Sequence, residues 1–99
     1  MSYLVVLSFD LNANSQDLYD DLNIGLNNMG LKKELRSSSG KTVALPSNTY
    51  SGTFTGAEAG KVRDDIAEQI KKIFNDNNAH GRVFLAIGGD SWAWSVQNL

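Results

Sequence analysis

The sequence predicts a single α+β domain, residues 1–99, in which two helices cover one face of an antiparallel sheet. Residues 4–11 and 83–90 are continuous apolar runs that each end at an acid, a pattern typical of strands buried on both faces. Two amphipathic helical patterns lie between these runs. A chain of 99 residues also has the size of one domain with one hydrophobic core.

The N-terminal third predicts a strand followed by a helix. Residues 3–11 combine β-branched and aromatic side chains without a breaker, which indicates a strand. Asn14 or Ser15 can then cap a helix. The apolar positions of this helix recur every three or four residues, and they are Leu18, Leu22, Leu26 and Met29. Gly30 follows at the predicted C-terminal stop, where glycine accepts a left-handed conformation.

The middle of the chain predicts further strands around a polar loop. Residues 31–36 resume an alternating pattern, and residues 37–41 are serine, glycine and lysine, as in flexible loops. Residues 42–45 return to extended propensity before Pro46, which belongs at a sheet edge or a bend. Residues 49–54 predict the third strand.

The C-terminal half predicts the second helix and the last strand. Thr55 and Glu58 match a capping box, which indicates a helix start. One stripe of this helix is apolar and consists of Ala59, Val62, Ile66, Ile70, Ile73 and Phe74. Residues 82–87 predict the last strand. The order β-α-β-β-α-β is that of a ferredoxin-like sandwich, with a four-stranded antiparallel sheet and both helices on one face.

Composition excludes several kinds of chemistry. The chain has no cysteine, which rules out disulfides, thiolate metal sites and cysteine nucleophiles, and its single histidine, His80, rules out a multi-histidine metal site. The net charge of −2 disfavours non-specific binding to nucleic acid. No N-terminal leader pattern and no apolar run of about 18 residues is present, so we expect a cytoplasmic protein that does not insert into membranes.

Two short segments resemble a known family. The run Val5-Val6-Leu7-Ser8-Phe9-Asp10-Leu11 resembles the opening strand of small CRISPR-associated adaptor and endoribonuclease proteins, and of virulence-associated protein D. The segment Leu85-Ala86-Ile87-Gly88-Gly89-Asp90-Ser91-Trp92-Ala93-Trp94 resembles the closing segment of uncharacterised relatives. The resemblance implies a ferredoxin-like homodimer, and it is a fold-level analogy.

The resemblance also implies a catalytic and metal-binding role for Asp10. In that family, the acid that ends the first strand faces its twin across the homodimer, where the two carboxylates hold a divalent cation for phosphodiester cleavage. Mg²⁺ prefers such oxygen ligands, and Ser8 or Asn12 would be neighbours. Residues 12–31 contain three aspartates and no lysine or arginine. The negative charge of this segment would repel a phosphate that approaches Asp10. The alternative for Asp10 is a helix-capping acid or an acid at the strand rim.

Two other groups of residues are candidates for binding. Four basic residues around the polar loop, Lys32, Lys33, Arg36 and Lys41, would form a nucleic-acid-binding surface, and the alternative is a solvated face. Trp92 and Trp94 alternate in an extended tail, which places both indoles on one side as an interface for another surface. The alternative is that they close the core of their own domain.

The leading interpretation is a small homodimeric binding protein of undefined activity, either regulatory or associated with mobile elements, CRISPR or toxin systems. A protein partner docking near Trp92 and Trp94 is consistent with it. The second hypothesis is a Mg²⁺-dependent nuclease acting through Asp10, and the third is a non-catalytic nucleic-acid-binding module. No cofactor is expected beyond Mg²⁺ in the nuclease case.

Overall fold

The computed structural model describes residues 1–12, 15–89 and 91–99. Five strands and two helices occur in those residues, and they are β1 (Ser2–Leu11), α1 (Gln16–Asn28), β2 (Glu34–Arg36), β3 (Thr42–Ala44), β4 (Thr49–Thr55), α2 (Ala59–Asp76) and β5 (Gly81–Gly88). The predicted cap at Asn14 and the acid at Asp90 lie outside the described residues. No helix in the described part combines the length and hydropathy needed to cross a bilayer.

β1 is the central strand of a three-stranded antiparallel sheet with the order β4-β1-β5. Its residues 2–8 pair with β4, and its residues 4–11 pair with β5. Alternate side chains point toward the helices and are buried, namely those of Tyr3, Val5, Leu7 and Phe9. Leu4, on the opposite face, is buried too, whereas Val6 and Ser8 are half-buried and Asp10 is exposed. The prediction of a strand buried on both faces therefore holds for β1 only in part.

The α+β class with two helices is confirmed, whereas the predicted four-stranded sheet is not formed. β2 and β3 make a separate two-stranded hairpin. Only one bridge joins the described part of this hairpin to β4, with the Lys32 amide donating to the Ser51 carbonyl at 2.9 Å and the Ser51 amide returning a bond at 2.8 Å. The hairpin then forms its own bonds, from the Leu45 amide to the Lys33 carbonyl at 2.9 Å for example, and leaves the sheet.

A side-chain hydrogen bond caps the start of α1 but not that of α2. The Ser15 hydroxyl accepts a bond from the Leu18 amide at 3.4 Å, as expected for an N-cap of α1. The capping box predicted at Thr55 is wrong, because Thr55 pairs with Ser2 as the last residue of β4. Glu58 is the N-cap residue of α2 instead, without a side-chain hydrogen bond.

The core lies between the two helices and the inner face of the sheet, and Phe9 is at its centre. The Phe9 ring meets Phe74 edge-on at a centroid distance of 5.5 Å, and it stacks with Tyr50 at 5.9 Å and Tyr19 at 6.2 Å. The predicted apolar stripe of α2 is confirmed at its buried positions, which are Val62, Ile66, Ile70 and Phe74. Packing of both helices against β1 therefore defines one core.

The prediction that the last strand is buried on both faces is wrong. β5 is an edge strand, and no described strand pairs with its outer side. The side chain of Phe84 is 64% exposed and that of Val83 is 43% exposed. Only Leu85 and Ile87 pack, in part, against the core. The run is apolar on both sides, but the single chain covers it only in part.

We predict that replacing Ile66 or Ile70 by alanine lowers the free energy of unfolding by about 2 to 5 kcal/mol, because each change leaves a cavity beside the sheet. Urea unfolding measures the loss. Glu68→Ala, on the exposed side of the same helix, should change stability by less than about 0.5 kcal/mol. A loss below about 1 kcal/mol at both isoleucines would contradict the packing of α2.

Candidate functional site

β1 places Asp10 at its end, with an exposed side chain. The residue directly opposite on β5 is Arg82, and residues paired in this way point to the same face of an antiparallel sheet. The strands come close here, since a Cβ at Gly81 would collide with the carbonyl group of Asp10. Gly81 therefore allows β5 to hold the backbone of Asp10 in place.

The described residues of a single chain offer Asp10 no ready-made metal site. Within the described ranges, no group of three or more histidine, aspartate or glutamate side chains could hold a metal ion. Ser8 shares the face of Asp10, whereas the Asn12 amide donates to the carbonyl of His80 at 2.8 Å. A Mg²⁺ ion at Asp10 would need ligands from a second copy or from substrate phosphate. The catalytic and metal-binding role of Asp10 stays a prediction.

The four basic candidates are divided between two surfaces. Lys32 and Lys33 lie beside a shallow groove, with Lys33 Nζ 5.6 Å from the centre of the Tyr50 ring. Arg36 lies at the end of β2, where its Nε donates to the carbonyl of Gly40 at 3.3 Å. Lys41 closes the same loop, since its amide donates to the Ser37 hydroxyl at 3.2 Å. Their role in binding nucleic acid stays a prediction.

The two tryptophans share one groove, and only Trp94 also lines a second one. We call the sheet side opposite the helices the outer face. Trp94 is half-buried and lines a groove of about 310 Å³ on this face, together with Leu4, Val6 and Leu35. Trp92 is 40% exposed and shares a neighbouring groove with Arg36. The tail thus covers part of the outer face through Trp94, and the interface role of both indoles stays a prediction.

A third surface runs along β5. A groove of about 480 Å³ separates α2 from β5, with Ile70 and Phe74 on the helix side and Val83 and Leu85 on the strand side. A second groove of about 230 Å³ is lined by Ala59, Gly60, Arg63, Leu85 and Ile87. Leu85 lines both grooves, and we call this pair of grooves beside the open edge the channel. Sequence reasoning missed this channel, because an apolar run does not reveal whether a strand is central or at an edge.

Sequence reasoning also missed the contacts of Tyr50. The side chain is buried, and its hydroxyl donates to Asn23 Oδ1 of α1 at 2.9 Å. Desolvation by burial raises the pKa of Tyr50 to about 12. No spacing rule links a tyrosine in a strand to an asparagine 27 residues earlier, so this bond had no sequence signal.

No protein-family model matches the chain, and no curated protein matches it either. The resemblance through the segments around Asp10 and Trp92 therefore stays a prediction.

We predict that the stability of the protein falls between pH 10 and pH 12 through Tyr50, whose pKa is raised from 10.0 to about 12. The folded state holds this proton more tightly than the unfolded state, so the contribution is complete below pH 10 and is lost as the pH rises to 12. The loss is up to about 2.7 kcal/mol, since one pKa unit corresponds to about 1.4 kcal/mol. Urea unfolding at several pH values measures it.

Tyr50→Phe is the control for this pH dependence. The variant lacks the hydroxyl and should lose less stability than the wild type above pH 10, although other groups still titrate. Parallel pH profiles for the two proteins would contradict the assignment.

Proposed function

We propose that this protein is a homodimeric binding protein. The observation that carries the proposal is the large surface of one copy. The accessible surface is 6602 Å² for a chain of 10.8 kDa, whereas a compact monomer of this mass exposes about 5,500 Å². The excess of about 1,100 Å² is comparable to the ~800 Å² that each partner buries in a standard interface.

The shape of the molecule supports the same proposal. The radius of gyration is 13.7 Å and the extents are 35 × 35 × 21 Å, compared with about 12.6 Å for the radius of gyration of a compact domain of this length. The helices cover the inner face of the sheet, whereas the outer face is approached, among the described residues, by the tail and the hairpin. Such a flat layer gains stability when a second surface covers its apolar groups.

The biological setting follows from the resemblance rather than from the fold. The observed order is β-α-β-β-β-α-β, with one strand more than the predicted order. The central position of β1 between β4 and β5 supports a relation to ferredoxin-like domains, with the remaining strand of the sheet reduced to one bridge at Lys32. We extend the proposal to a regulatory role or a role in mobile-element, CRISPR or toxin systems. A protein partner near Trp92 and Trp94 would use the exposed tail.

The molar mass in solution tests the proposal. We expect sedimentation equilibrium to give about twice the 10.8 kDa of one chain, with reversible dissociation on dilution. A mass of one chain at every concentration would contradict homodimerisation.

A metal-dependent nuclease is the second candidate, favoured by the position of Arg82 opposite Asp10. A carboxylate for Mg²⁺ and a guanidinium for phosphate would emerge on the same face of the sheet. Because Asp10 belongs to no group of three metal-binding side chains among the described residues, this function requires the second copy or the substrate to complete the coordination.

The nuclease candidate predicts Mg²⁺-dependent cleavage of single-stranded RNA or double-stranded DNA by the wild type, with loss of cleavage in Asp10→Asn. Asp21→Asn is the control, because it removes the same charge from an exposed position on α1. Equal cleavage by the two variants, or no cleavage by the wild type, would eliminate this function for Asp10.

A further inference from the structure

We propose that two copies of this chain pair edge to edge through β5, antiparallel, so that three strands from each copy form one continuous sheet of six. The inference rests on the proposed homodimer and names its surface. The two-fold axis would pass between the two β5 strands, level with their middle and perpendicular to the sheet, with the helices of both copies on the same side.

Apart from Arg82 near its start, the described residues of β5 have none of the usual devices that prevent edge pairing. Solvent-exposed edge strands generally carry lysines, prolines or bulges, or are covered by another segment. β5 has one charged residue, Arg82, next to its start, and it contains no proline. Its pairing with β1 runs without interruption from Gly81 to Gly88, so no bulge bends it. An edge of about 27 Å is thus available for main-chain hydrogen bonds.

The side chains of β5 suit a second copy of the same strand. Phe84 is exposed on the outer face and Val83 on the helix side, so both sides of the strand present apolar surface. In an antiparallel pair with this symmetry, opposite residues share a face. Phe84 would therefore lie opposite either Phe84 or Ala86 of the second copy, depending on whether the axis lies level with residue 84 or with residue 85. Both registers join apolar side chains.

The charges are compatible with this pairing. In the two registers Arg82 lies opposite Ala86 or Gly88 of the second copy, so the two Arg82 side chains do not meet. The channel between α2 and β5 would come to lie along the interface. Its helix rim contains the small residues Gly60 and Ala67, and the Arg63 guanidinium there is paired with Asp64 at 3.0 Å.

This dimer would exclude the shared-metal nuclease. With the axis at residue 84 or 85, the two Asp10 residues lie roughly 20 to 25 Å apart, from the strand spacing and the rise per residue. Mg²⁺ binds its ligands at about 2.1 Å, so one ion cannot join the two carboxylates. Pairing through β5 and a metal held by both copies of Asp10 are therefore alternatives.

The test compares Phe84→Lys with Ile24→Lys by sedimentation equilibrium. Both wild-type side chains are exposed to a similar extent, 64% and 59%, but Ile24 lies on α1. Because each residue is exposed in one copy, both variants should fold, which circular dichroism verifies. We expect Phe84→Lys to raise the dimer dissociation constant about 100-fold or more, since each dimer loses two buried phenyl rings. Ile24→Lys should leave it unchanged.

The outcomes distinguish the homodimer itself from its pairing through β5. A monomeric wild type would overturn the homodimer and, with it, the pairing through β5. A wild-type dimer that Phe84→Lys leaves intact, or that Ile24→Lys dissociates, would keep the homodimer and overturn the β5 surface. Dissociation by Phe84→Lys alone supports both.

Discussion

The structure depends on β1 being paired on both of its edges while its inner face fills the core. Its register with β4 and β5 decides which residues face the helices. A slip of one residue would turn Val5, Leu7 and Phe9 toward the outer face. The ring contacts of Phe9 with Phe74, Tyr50 and Tyr19 would then be lost together. The packing of the core and the pairing of the sheet therefore depend on the same register of β1.

That constraint also determines where the functional candidates lie. Because β1 is central, β5 must be at an edge, and its run of apolar side chains cannot be covered by the sheet itself. The same pairing places Arg82, near the start of β5, opposite Asp10, near the end of β1. On the outer face, Trp94 lines a groove together with Leu4 and Val6. The open edge is thus a consequence of the fold, and its apolar side chains make it suitable for another copy.

Much of the fold was predictable from residue patterns. The helical periodicity identified α1 and the buried stripe of α2, and Ser15 marked the start of α1. Gly25 within α1 is explained by the crossing of the helices, since a Cβ there would lie 2.9 Å from Ile73 Cγ2. These features are local, or they depend on one face being apolar.

The wrong predictions arose where the surroundings of a segment depend on distant parts of the chain. The runs in β1 and β5 have the same pattern, yet only β1 has neighbours on both edges. Thr55 followed by Glu58 has the spacing of a capping box, but tertiary pairing with Ser2 keeps Thr55 in β4. The bond between Tyr50 and Asn23 joins distant parts of the chain. Local patterns do not contain such information. For the site, sequence patterns selected the individual residues but could not group them into surfaces.

Hydrogen exchange of the β5 amides, measured at several protein concentrations, shows whether two copies pair through this strand. In one copy, the amides of β5 that point away from β1 are open to solvent. Pairing through β5 predicts that exchange at these alternate positions slows as the concentration rises, while the amides bonded to β1 change much less. Fast exchange at the outward β5 amides at all concentrations, or concentration-dependent protection elsewhere only, would contradict the account.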